Sequence, residues 1–170
     1  MRLDRVVKTF LDFTRPVQLN LSDVPLADFV NELADLARPQ AEGNAIDVVV
    51  ENSVEQVNIT VDPDLFKQAV LNIVVNAIEA MPKGGKLTFW SGISGDQAEI
   101  RISDTGPGIP DDLRDKIYNL YFTTKQKGSG IGLSLTFRIV QLHDGTMEFE
   151  SEPGKGTMFS LRLPVAVLAA

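Results

Sequence analysis

A chain of 170 residues with 44% hydrophobic and 23% charged residues has the make-up of one globular domain with a short appendage, which excludes disordered and fibrous chains. The lack of cysteine excludes disulfides, thiolate zinc sites and thiol nucleophiles, and a single histidine excludes histidine-rich metal centres, so any metal is expected on oxygen ligands. A formal charge of -7 and the lack of any apolar run of about 18 residues argue against nucleic-acid partners and membrane contact, so this fragment reads as soluble, untargeted and cytoplasmic, whatever anchors its parent.

Leu3, Val6, Phe10 and Phe13 recur at helical spacing and Arg15-Pro16 stops them, which predicts the last turns of a longer helix, followed by an extended linker over 16–22. Ser22 or Asp23 is placed to cap a helix with Pro25 in its tolerant first turn and Leu26, Phe29, Val30, Leu33, Leu36 and Ala37 on one stripe, kinked or ended at Pro39. The β-branched runs Ile46–Glu51 and Val57–Val61 predict a hairpin about Asn52 and Ser53, closed by Asp62-Pro63. A long helix follows from about Asp64 to Met81, with Phe66, Val70, Ile73 and Ala77 on its core face and Gln68, Asn72 and Asn76 beside it. Pro82-Lys83-Gly84-Gly85 ends it, and Lys86–Ile93 with Gln97–Ser103 predict a second hairpin around Ser94-Gly95-Asp96. Residues 104–132 hold five of the thirteen glycines and read as a mobile loop with a helical patch over Asp111–Leu120. A helix over Ile131–His143 and strands over Met147–Ser151 and Thr157–Leu163 complete the domain.

Three constellations carry chemistry. Asn72 and Asn76, one turn apart on one helix face, offer neutral amide oxygens suited to a magnesium ion that shares its other ligands with phosphates. Asp104-Thr105-Gly106-Pro107-Gly108-Ile109-Pro110 follows a strand, where glycines let backbone approach a flat ligand and an aspartate accepts a hydrogen bond from an exocyclic amine such as that of adenine. Gly128-Ser129-Gly130-Ile131-Gly132 opens a helix and leaves successive N–H groups to cradle phosphates. It is neither a Walker loop, lacking Lys-Ser/Thr after it, nor the dinucleotide fingerprint, since no strand precedes it.

In the order Asn72-x-x-x-Asn76, Asp104-x-Gly106-x-Gly108, Phe122-Thr123-Thr124-Lys125 and Gly128-x-Gly130-x-Gly132, with Gly154-x-Gly156-Thr157 beyond, the chain resembles the N, G1, F and G2 boxes of sensor histidine kinases. It looks most like their nitrogen-regulator and C4-dicarboxylate sensor branch, in which an N-box helix ends in Ala-Met-Pro and the lid carries Thr-Thr-Lys. The F box departs from the usual proline and phenylalanine in having Leu120 and Tyr121. The resemblance implies the GHKL fold, an α/β two-layer sandwich whose mixed, mostly antiparallel five-stranded sheet is covered on one face by three helices. It divides the chain into the end of a dimerisation helix and linker (1–21), a catalytic ATP-binding domain (22–164) and a tail (165–170).

By the same resemblance Asn76 holds Mg²⁺, Asn72 meets the ATP phosphates or the attacking group, and Asp104 takes the adenine amino group in a pocket shaped by Gly106, Gly108 and Ile109. Phe122, Thr123, Thr124 and Lys125 form the lid, with Lys125 reaching the γ-phosphate. Gly128, Ser129, Gly130, Ile131, Gly132 and Leu133 hold the phosphate chain, and Thr157 completes the site. The implied catalytic residues are Asn72 and Lys125, and the implied reaction moves the γ-phosphate to a histidine on a dimerisation module that this chain lacks, then to a response-regulator receiver domain. Related ATPases carry a water-activating glutamate where this chain has Asn72, which predicts little intrinsic hydrolysis and argues against the serine-directed kinases of the superfamily. His143 resembles a structural position rather than the phosphoacceptor. A nucleotide-binding regulatory module without catalysis, or a serine-directed kinase, stays open as an alternative.

Overall fold

The computed structural model describes residues 17–119, 122–124, 126 and 130–166. The helix end expected over Leu3–Pro16, and Leu120, Tyr121, Lys125, Gly128 and Ser129, lie outside these residues.

The elements in chain order are β1 (Ser22–Pro25), α1 (Leu26–Gly43), β2 (Ile46–Asn52), β3 (Asn58–Val61), α2 (Pro63–Ala80), β4 (Gly85–Ser94) and β5 (Gln97–Asp104), then a 3₁₀ turn (Asp111–Lys116), α3 (Gly132–Leu142), β6 (Thr146–Glu152) and β7 (Gly156–Pro164). The main sheet runs β2-β4-β5-β7-β6, parallel between β2 and β4 and antiparallel elsewhere. The three helices among the described residues lie on one face, α1 over β2 and β4, α2 over β5, and α3 over β6 and against α2. Strand alternation sends Leu87, Phe89, Ile100, Ile102, Phe159 and Leu161 under the helices. The other face presents Trp90, Arg101 and Arg162, with the Arg101 guanidinium 4.3 Å from the Trp90 ring centroid and the fully buried Glu99 paired to Arg101 at 2.9 Å.

The second hairpin forms as expected, Ser94 opposite Gln97 and Leu87 opposite Asp104. The first does not. β2 pairs in parallel with β4, Ile46 opposite Gly85 and Val50 opposite Phe89, while β3 leaves the sheet to pair with β1, Ser22 opposite Val61. The end of β2 is pinned to β4, because Ser53 N donates to Ser91 O at 2.8 Å and the Ser91 hydroxyl to Asn52 Oδ1 at 2.6 Å, so the chain continues along β4 instead of reversing. A run of three valines, Val48 to Val50, suits a parallel pairing better than a two-sided hairpin.

Further corrections concern α1. Ser22 and Asp23 belong to β1 rather than capping the helix, the position before the first helical residue is Pro25, and no side chain caps it. Pro39 does not end α1, which runs on to Gly43, since Pro39 lies on the exposed side where water can satisfy the carbonyl it leaves unpaired. Leu36 is 51% exposed and not part of the core stripe, whose place Ala34 and Ala41 take. The helical patch over Asp111–Leu120 is a 3₁₀ turn over Asp111–Lys116.

At the start of α2, Asp62 Oδ1 accepts from Leu65 N at 3.1 Å and Oδ2 from Asn20 N at 3.0 Å, so Asp62 caps the helix and ties down the incoming chain rather than closing a hairpin. The Asn20 N–H is the main cause holding the Asp62 carboxyl below its ordinary range, against a smaller opposing effect of burial. A carboxylate depressed in the folded state stabilises above its unfolded value, and that stability is lost as pH falls through the folded one. Asp62→Ala is expected to cost about 1 to 2 kcal/mol at neutral pH, a penalty that vanishes in acid as the native carboxylate protonates, checked by urea unfolding across pH.

Candidate active site

The site lies where β5, α2 and α3 converge. Asp104 is the last residue of β5, and its Oδ1 accepts from Gly106 N at 2.9 Å, which folds the following loop back on the strand end. Gly108 requires its glycine, since φ is 76° and an added Cβ would stand 2.5 Å from Glu152 O. The loop is anchored to the β6–β7 turn, Ile109 N donating to the Ser151 hydroxyl at 2.7 Å and Gly154 N to Pro107 O at 2.8 Å; the same Ser151 hydroxyl contacts the Thr157 hydroxyl at 2.9 Å. This first part of the glycine-rich segment is thus tied to the sheet.

Burial pushes the Asp104 carboxyl above its ordinary range, and the N–H groups of Gly106 and Thr157 work against that rise. A half-buried carboxylate with donors on one side and a cavity on the other suits a ligand that brings its own N–H. On the facing wall, α2 presents Ile73, Asn76, Ala77 and Ala80 at helical spacing. The third wall is the start of α3, where the N-cap side chain, Ile131, makes no cap hydrogen bond and the backbone N–H groups put the positive helix end at the cavity.

Between them is a cavity of about 560 Å³. It brings together Asn76, Asp104, Gly108, Ile109, Phe122 and Thr123 with Thr124, Gly130, Gly132, Leu133 and Thr157. Among the described residues, three expected ones do not line it. Gly106 is buried behind the loop, where a Cβ would stand 3.3 Å from Ala80 Cβ, and Ile131 is buried beneath the first turn of α3. Asn72 directs its amide nitrogen to Gly132 O and Thr136 Oγ1, both at 3.4 Å, so it meets α3. The cavity also includes Ile73, Leu113, Ile117 and Phe159, which supply apolar walls. The α2 members could have been read from the spacing that contains Asn76, whereas nothing in the sequence pattern marks Leu113 and Ile117 as wall residues.

One apolar slot, one acceptor carboxylate and one open helix end on a helix-covered sheet define a nucleotide-binding domain of the GHKL type. The chain belongs to the histidine kinase-, DNA gyrase B- and HSP90-like ATPase family, which matches residues 61–167. Among similar proteins, sensor histidine kinase ZraS of Escherichia coli K12 is 36% identical over 166 residues, which are 98% of this chain and 36% of that protein. The chain therefore spans about a third of the curated relatives it matches. Full-length ShkA in complex with AMPPNP superposes with a TM-score of 0.85 at 26% identity, covering 99% of this chain and 37% of that one. Histidine kinase ThkA in complex with the response regulator protein TrrA does so with a TM-score of 0.81 at 28% identity, covering 96% of this chain and 47% of that one.

Proposed function

We propose that this chain binds ATP in the cavity between α2, α3 and the Asp104 loop and presents its γ-phosphate to a histidine on a helical dimerisation module, from which the phosphoryl group passes to a receiver-domain aspartate. The observation that carries this reading is the convergence of Asp104, Asn76 and the start of α3 on one cavity. ATP has the parts that this arrangement suits: an adenine with an amine for Asp104, and a phosphate chain for backbone N–H groups.

Asn76 fits a magnesium ion, because its amide oxygen is a neutral hard donor on the cavity wall and, among the described residues, no group of three or more His, Cys, Asp or Glu could hold an ion by itself. Such an ion neutralises phosphate charge. Everything else the reaction asks of the protein is positioning: Ile109 and Ile117 enclose the base, Asp104 orients it, and α3 fixes the phosphates. Phe122, Thr123 and Thr124 on the cavity wall, with Lys125 beside them in sequence, are the proposed lid, and Lys125 its contact to the γ-phosphate. The expected division into residues 1–21, 22–164 and 165–170 belongs to the same proposal. The relatives are histidine kinases, which favours a histidine acceptor over serine or a purely regulatory role.

The test is reconstitution of the chain with the helical module of its parent kinase, radiolabelled ATP and Mg²⁺. Acid-labile, base-stable label on that module is expected. A chain that binds ATP yet labels nothing, or gives acid-stable phosphoserine, would overturn the transfer reading.

A further inference from the structure

The link between α2 and α3 is made by a buried hydroxyl. Thr136 is fully buried on the second turn of α3, and its Oγ1 lies 2.9 Å from Ala69 O on α2 and 2.9 Å from Gly132 O at the start of its own helix. The second contact is the ordinary back-bond of a helical threonine, but the first crosses between helices. The amide nitrogen of Asn72, one turn beyond Ala69 in sequence, reaches the same Gly132 carbonyl and the same hydroxyl, each at 3.4 Å. Four groups from two helices thus share one node centred on the Thr136 hydroxyl, and one of the four is the carbonyl of Gly132, the first residue of α3.

The node matters because α3 does not fix its own beginning. The side chain at its N-cap, Ile131, makes no cap hydrogen bond, and the Ser134 hydroxyl turns back to Ile131 O at 2.9 Å, within the same turn. The Thr136 hydroxyl and the Asn72 amide both bridge the Gly132 carbonyl, in that first turn, to α2, the helix that carries Asn76 on the cavity wall. A hydroxyl with no exposure is costly to leave without a partner, so it favours the placement of the helix end that supplies one.

We propose that Thr136 is a positioning residue for nucleotide phosphate binding, and that Asn72 acts with it through α3 rather than by touching the nucleotide. This rests on the ATP reading above and deepens it. The phosphate end of the site is then held by the α2–α3 node, and the adenine end separately by Asp104 and the β6–β7 turn.

The experiment is displacement of a fluorescent ATP analogue by ATP and by adenosine, which lacks phosphates, from the unmutated chain and from Thr136→Val, Thr136→Ser, Asn72→Ala and the Asn72→Ala/Thr136→Val pair. Thr136→Val keeps shape and removes the hydroxyl, so ATP affinity is expected to fall about tenfold with adenosine changed by less than about twofold, and Thr136→Ser to restore ATP. The double variant is expected to lose no more than the worse single one, since both act through one node. Equal losses for ATP and adenosine, or a lower melting temperature with affinity unchanged, would show a structural threonine only. Losses that add would show Asn72 contacting phosphate by itself. Should Thr136→Val not fold, Asn72→Ala with and without Thr136→Ser carries the same comparison: selective loss of ATP over adenosine supports the node and unchanged selectivity overturns it. An unmutated chain that binds adenosine but not ATP overturns the node, and one that binds neither overturns the ATP reading with it.

Discussion

Asp104→Asn is expected to weaken ATP binding by about tenfold to a hundredfold while the fold is kept, the cost of one charge-assisted hydrogen bond of roughly 1.5 to 3 kcal/mol. The carboxylate is tied on one side by Gly106 N at 2.9 Å and borders the cavity on the other. An amide in its place turns an N–H donor either toward the Gly106 donor or toward the adenine amine, and both juxtapositions are unfavourable. Stability is expected to move the other way. Burial raises this carboxyl, so the folded chain binds its proton more tightly than the unfolded chain does, and ionisation costs stability as pH rises from the ordinary value through the raised one. At neutral pH the native residue carries that cost and the amide does not, so the melting temperature of Asp104→Asn is expected to equal or exceed that of the unmutated chain. The same upward shift predicts that lowering pH from neutral toward the ordinary carboxylate range weakens ATP binding more in the unmutated chain than in the variant, because protonation removes an acceptor only the former has. Calorimetric titration with thermal melts checks all three. An affinity within about twofold of the unmutated chain would put the adenine elsewhere.

His143→Ala is expected to destabilise the chain by about 3 to 5 kcal/mol, a large part of the 5 to 15 kcal/mol that holds a typical domain together. The imidazole is 5% exposed at the end of α3 and packs edge-on against Phe66 at 5.2 Å, which itself meets Phe29 at 5.8 Å. Both ring nitrogens are committed: Nε2 accepts from Asp62 N at 3.0 Å, and Nδ1 donates to Ile139 O at 2.7 Å, which specifies the neutral ring with its proton on Nδ1. Truncation empties the ring volume and leaves a buried N–H and a carbonyl unpaired. His143→Phe separates the two effects, since it keeps the volume and is expected to retain about half of the loss. Denaturant unfolding reads the difference. The same geometry leaves neither nitrogen available to a phosphoryl donor, so incubation of this chain alone with Mg²⁺ and ATP is expected to give no phosphohistidine; label on His143 would contradict the structural role.

Elements with a local cause were legible in the chain. The β4–β5 hairpin follows from Ser94-Gly95-Asp96 between β-branched runs, and α2 follows from a 3.6-residue apolar stripe, with Asp62-Pro63 marking its start more simply than a hairpin closure does. The chemistry was legible for a related reason. Glycines that must let backbone approach a ligand, an aspartate at a strand end and asparagines inside a helix are each unfavourable for local structure, so their presence in order signals a use.

The elements, their apolar faces and the residue types the site needs are therefore local properties of the chain. Where β2 and β3 go is a matter of long-range packing, because strand partners are chosen by packing and by distant hydrogen bonds such as Ser53 N to Ser91 O, which no local pattern encodes. Long-range packing also separates Asn72 from Asn76. Both lie on one helical face, yet Asn76 lines the cavity and Asn72 meets Gly132 and Thr136, since the direction in which α3 crosses α2 determines which turn is covered and which is left to a ligand.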